Sequence, residues 1–349
     1  MADLTSRIEV TKLAHELGAS EQELEFLADG TPEQLRELRG IVAEALFARH
    51  EERVGRLAAL SKLLPVPLTA KIAELALGPM LSARVAGALD PREAARLAGH
   101  LNPTFLTDLS ISLDPKRVAP IVRQLPDALV ADIGRRLLAK GAFLVLGRFV
   151  AIVDVDVALQ VVDGATDDAL LQVALFTDDQ SALDAITRRL DDSRLGGVIR
   201  AAAASNSWDA AVTILTSLSE ETRTRLVAQA GVIDAAARDD LIAAIAKHDV
   251  WAEVLPSLHA VEQPILASLV NVESTLDASL IDHIVGVARQ LDLAPVLVQL
   301  VLVLDDPHLD VLKDTKRLRE PEVQTWLLEN AGVARRLVEA VLSQLGLTS

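Results

Sequence analysis

The sequence contains no cysteine and no tyrosine, and aromatic side chains make up only 3% of its 349 residues. Without cysteine there are no disulfides, no thiolate chemistry and no cysteine-ligated zinc. With so few rings, the interior must be built from Leu, Val, Ile and Ala, which pack helices closely; hydrophobic residues still reach 50%. Positive charge is in deficit. The 34 Lys and Arg against 50 Asp and Glu give a formal charge of −16, which opposes general binding to a phosphate backbone, so no nucleic-acid partner is expected. Long apolar runs are missing too. The longest, Leu293 to Leu304, is twelve residues with Pro295 and Gln299 inside it, where a membrane span needs about 20; it is expected as a buried core helix. The N-terminus, MADLTSRIEVTKLAHELG, lacks an apolar core of signal-peptide length, and its acids disfavour a mitochondrial transit role, so a cytoplasmic location is expected. Arg-dominated basic residues and abundant Ala suggest a GC-rich bacterial genome.

Motifs of catalysis are also absent. None of His15, His50, His100, His248, His259, His283 and His308 belongs to a HExxH pair, and there is no GxxxxGK loop, GxGxxG turn or GxSxG elbow. The densest polar cluster, Asp305-Asp306-Pro307-His308-Leu309-Asp310, is better explained as a capped helix start with proline than as a cation site. Asp154, Asp156 and Asp163 lie in VDVDVALQVVDG, where apolar neighbours and a missing loop glutamate set the stretch apart from a calcium loop. No enzyme activity, cofactor or metal site is expected.

What the chain does have is internal repetition. Leu89, Leu101, Leu113 and Leu125 stand twelve residues apart, and each is followed by a breaker: Asp90-Pro91, Asn102-Pro103, Asp114-Pro115 and Pro126. Asp or Asn caps a helix by accepting a first-turn amide, and Pro suits the next position, so each dipeptide starts a helix and ends the preceding one. Ala94, Leu106, Val118 and Val130 form one apolar column; Leu97, Leu109, Ile121 and Ile133 form another. Helices this short are marginal alone and must be held by their neighbours. Further along, a longer rhythm pairs a long helix with a second one opening on Phe143, Trp208, Trp251 or Leu293, the last three spaced 43 and 42 apart. That spacing lies in the HEAT and armadillo range. Phe143, Trp208 and Trp251 are read as core residues locking helix pairs, with groove anchors as the functional alternative. Acid pairs at Thr166-Asp167-Asp168, Thr177-Asp178-Asp179 and Asp191-Asp192 are expected at helix N-termini, where the helix dipole favours them.

Two segments stand apart. Residues 1–55 read as a helical hairpin, with capping-box patterns at Ser20/Glu23 and Thr31/Gln34. Ala14, Gly18 and Leu24 sit where a helix-turn-helix would place them, but the would-be recognition helix carries Glu21, Glu23, Glu25 and Asp29 and no base, so repulsion by phosphates favours a plain helical hairpin over DNA binding. Residues 53–89 break the acidic habit: Arg53, Arg56, Lys62, Lys71 and Arg84 face the single acid Glu74 in an apolar segment bent at Pro65-Val66-Pro67 and Gly78-Pro79. The plainer reading is core helices with solvated charges. The functional one is a basic amphipathic segment that contacts an anionic membrane surface or a partner's groove.

The units LDPREAARLAGHL and LDPKRVAPIVRQLP resemble the short-helix superhelix of the cytosolic N-domain of MgtE-type magnesium transporters, with related repeats in the middle domain of the flagellar motor switch protein FliG. The resemblance covers roughly residues 80–190. It implies an armadillo-like superhelix and a modest Mg²⁺ response; with no CBS modules or membrane pore in the sequence, it does not imply transport. The expected fold is all-α, an α-solenoid of short helical repeats, with the hairpin at 1–55, the superhelix at 56–349 and capping helices at 305–349. The expected function is a non-enzymatic scaffold binding a protein or peptide, the acidic surface favouring a basic partner. The alternatives are a peripheral membrane adaptor working through residues 53–89 and a divalent-cation-responsive module. Oligomeric state is not encoded in any feature of the sequence.

Overall fold

A computed structural model describes residues 4–49, 51–61, 63–344 and 346. Among these the chain is all-helical, with no strand. It divides into two compact units, Met1–Ile186 and Thr187–Ser349.

The first unit opens with α1 (Leu4–Leu17) and α2 (Pro32–Ala48), joined by a 3₁₀ run, Glu21–Leu27. Both capping boxes form: Glu23 accepts from the Ser20 backbone, and Thr31 and Gln34 reciprocate at the start of α2. The segment where a recognition helix would lie is thus a tight 3₁₀ turn rather than an α-helix. α3 (Glu51–Ser61), α4 (Val66–Ile72), a π-helical turn (Ala73–Leu77) and α5 (Gly78–Ala86) follow.

Helices Pro91–Ala98, Pro103–Ile111, Pro115–Val122 and Asp127–Ala139 then start twelve residues apart. Asp90, Asn102 and Asp114 each accept a first-turn amide, as the dipeptides require. Ala94, Leu106 and Val118 of the first apolar column are buried, as are Leu109, Ile121 and Ile133 of the second. Val130 and Leu97, at the ends of the columns, are half-buried. The close approach of Phe143–Phe149 to Asp167–Leu175 is set by Gly147, where a Cβ would stand 2.7 Å from the Phe176 carbonyl carbon.

In the second unit the helix starts keep a longer step. First helices begin at Asp192, Ala235 and Ala278, second helices at Trp208, Trp251 and Ala294, and third helices at Glu220, Gln263 and Asp306; every step is 43 residues. Asp191, Asp234 and Asp277 cap the first helices in the same way. Each turn into a second helix passes through a left-handed residue, Asn206, Asp249 or Asp292, with φ of 51°, 51° and 56°. Asn and Asp tolerate that conformation better than most residues. The slot after this turn holds Trp208, Trp251 and Ala294, so the register expected from sequence shifts by one at the third position: Leu293 is the N-cap and Ala294 opens the helix. Each α-helix here makes its main helix contacts with those one or two places along the chain. The same carboxylates recur as links: Asp239 accepts from the Ser274 amide at 2.7 Å, and Asp282, 43 residues on, from the Arg317 amide at 2.6 Å.

The apolar run at 293–304 becomes the helix Ala294–Val301, with Ala294, Val296, Leu297 and Val298 buried. Among the described residues no helix is long and apolar enough to cross a membrane.

Candidate docking site

The segment from α3 to α5 is built around small inward residues. Val54 and Ala58 of α3 and Val85 of α5 form a buried cluster with Leu57 and Leu89 against it. On the inner side of α4 and the π turn the buried residues are only Ala70 and Ala73. The large apolar residues of the same stretch point the other way. Leu60, Leu63, Leu64, Leu68, Ile72, Leu75 and Met80 are all exposed, with Leu63 at 78% and Leu75 at 79%. Leu68, Ile72 and Leu75 follow the i, i+4, i+7 spacing of one helix face. That face is the apolar stripe of an amphipathic helix, turned to solvent.

Local punctuation holds it there. Pro65 caps α4, Pro67 sits in its first turn, and Gly78 at φ 71° lets the chain leave the π turn and begin α5. A π-helical turn is rare and occurs frequently at functional sites. The acid Glu74 is turned to a structural task, accepting from the Asn102 amide at 2.6 Å. Of the basic residues read from the sequence, Arg56, Lys71 and Arg84 are exposed. Arg56 pairs with Glu52, whereas Lys71 and Arg84 have no ion pair among the described residues. Lys62 and the Arg53 side chain lie outside the described residues. The expectation of plain core helices over 53–89 therefore holds only for the alanine and valine side of the segment.

The aromatics further on, read as core residues with groove anchors as the alternative, are buried or half-buried. Trp208 and Trp251 are 5% and 4% exposed, and neither indole N–H finds an acceptor within the described protein. Phe143 is half-buried at the start of its helix. Trp326, which sequence reasoning passed over, donates its indole N–H to Asp292 at 2.8 Å.

A second polar cluster was invisible in sequence. Lys12 on α1 contacts Asp178 at 2.6 Å and Glu9 at 3.3 Å; Arg39 on α2 contacts Asp178 at 3.0 Å and Glu9 at 3.2 Å; Arg36 reaches Glu9 at 3.5 Å. Glu9 and Lys12 are almost fully buried. Burial pushes the Asp178 carboxyl up, but Lys12 and Arg39 together outweigh it and hold the group below its ordinary value. Asp179 is the residue that caps the next helix, accepting the Ala182 amide, while Asp178 joins the hairpin to the later helices of the first unit. Arg148 with Glu16, His15 with the Ile111 carbonyl, and Arg117, which stacks on Phe47 and pairs with Glu44, add to the same seam.

Histidine–carboxylate pairs punctuate the second unit: His248 with Asp209 at 2.7 Å, His283 with Asp249 at 2.6 Å, and His308 with Asp305. Hydrogen bonds from Lys247 and His248 depress the Asp209 carboxyl. Asp305 accepts the His308 amide as an N-cap, and the other ring nitrogen of His308 meets the Val272 carbonyl, so that cluster is a helix start. Asp154 likewise caps Val155–Val162. Among the described residues no three His, Asp or Glu side chains gather as metal ligands would. No family model, curated protein or solved structure matches this chain.

Proposed function

We propose that the protein is a non-enzymatic adaptor: a helical-repeat solenoid of the armadillo and HEAT kind, akin to the MgtE N-domain superhelix, that docks onto another body through the crest at residues 60–80. The observation that carries this reading is the outward-facing apolar stripe on α4 and the π turn after it. Soluble proteins seldom leave contiguous apolar surface uncovered unless something binds it. The recurring helix starts, at twelve and 43 residues, support the repeat architecture. The charge of −16 favours a basic polypeptide on the remaining surface.

The test uses two tagged baits, the native chain and a Leu63→Asp/Leu75→Asp variant, with soluble and detergent-extracted membrane fractions of the source cells kept apart. The native bait is expected to recover components in stoichiometric amounts that the variant does not. Equal recovery by both baits would contradict the adaptor reading.

A further inference from the structure

Resting on the reading of the crest as a docking surface, we propose that its occupant is an anionic lipid bilayer surface. The helix Val66–Ile72 and the π turn after it present Leu68, Ile72 and Leu75 at the spacing of one helix face, and Leu60, Leu63 and Leu64, just before this helix in the chain, are exposed as well. The two most exposed of these, Leu63 and Leu75, stand almost free of the protein. A projecting row of aliphatic side chains suits insertion into a soft headgroup and acyl boundary; a protein groove would have to be shaped to receive each one.

Charge gives the sign of the surface. The chain as a whole carries −16, yet Lys71, next to Ile72 in the chain, and Arg84, on the helix that follows the π turn, are exposed and free of ion pairs among the described residues, and Glu74 is engaged by the Asn102 amide. Basic side chains near an anionic leaflet are attracted over about one Debye length, roughly 8 Å at physiological salt. Within that range the local bases act directly, while the acidic bulk of the protein is screened. A second copy docking crest to crest would present the same bases, Lys71 and Arg84, to one another, like charges where an anionic surface offers opposite ones. The composition also fits reversible attachment: the row is Leu and Ile, and among the described residues no helix is long and apolar enough to cross a membrane.

The experiment is co-sedimentation of the full chain with vesicles of 30:70 phosphatidylglycerol and phosphatidylcholine, and with vesicles of phosphatidylcholine alone. Binding is expected to the mixed vesicles, on the order of tenfold weaker to the neutral ones, and to weaken with added NaCl. Leu63→Asp/Leu75→Asp and, separately, Lys71→Glu/Arg84→Glu are each expected to lower it by at least about tenfold. Both pairs are at exposed positions, and circular dichroism on each variant verifies that helicity is kept. Leu337→Asp, exposed but far along the chain from the crest, is expected to bind as the native protein does. Absence of native binding to mixed vesicles, or equal loss in the Leu337 variant, overturns the proposal. If the baits above still recover a soluble partner in a crest-dependent way, the lipid assignment alone falls; if they also recover nothing, the adaptor reading falls with it.

Discussion

Replacing Lys12 by Met is expected to destabilise the first unit by about 3–5 kcal/mol, the cost typical of removing one partner from a buried ion pair. Lys12 and Glu9 are almost wholly buried, and Asp178 reaches them from 166 residues away in sequence. Without the ammonium, Glu9 and Asp178 share Arg39, with the half-exposed Arg36 reaching Glu9 only, and two carboxylates face each other with insufficient positive charge between them. Chemical denaturation at pH 7 measures the loss; a change below about 1 kcal/mol, the range of surface pairs, would contradict the assignment. The cluster also sets an acid dependence. The Asp178 carboxyl is held below its ordinary value of 3.8. A carboxylate depressed in the folded state stabilises it above the unfolded value, and that stability fades as pH falls from there through the folded value. The stability gap between the native chain and Asp178→Asn is therefore expected to be full at neutral pH and to narrow below pH 3.8.

Trp251→Ala is expected to cost about 3–5 kcal/mol, as truncation of a large buried ring does. This variant separates the two readings left open for Phe143, Trp208 and Trp251. A core lock loses stability and raises local exchange; a groove anchor would lose binding while the melting curve stayed put. With Trp251 4% exposed and opening a helix that packs on its neighbours, loss of stability is the outcome expected, and an unchanged melting curve would contradict it.

The sequence made the helix starts legible because they are punctuated locally. An Asp or Asn that accepts an amide two or three residues on, followed by Pro, needs no distant partner, so Pro91, Pro103 and Pro115 could be placed from the residues alone. The 43-residue step was nearly legible as well. It slipped by one at Leu293 because the aromatic that marks the slot elsewhere is replaced there by Ala294, which carries no distinctive signal. The Lys12, Arg39 and Asp178 cluster could not be read, since its members are charged residues on ordinary helical patterns brought together only by tertiary packing. The 53–89 segment was recognised as unusual from its bases, but periodicity finds an apolar stripe without saying which way it faces. Alanines at 70 and 73 are the signal in hindsight: they fill the inner face, leaving Leu68, Ile72 and Leu75 outside.

The most direct test of the repeat architecture is excision of residues 235–277, one whole 43-residue step of the second unit. In an array built by addition, Asp234 would then cap Ala278–Gln290 as it now caps Ala235–His248, and neighbouring helices would meet equivalent partners. The shortened chain is expected to keep its helicity per residue by circular dichroism and to melt cooperatively. A chain that loses cooperative melting, while the native protein retains it, would contradict the solenoid.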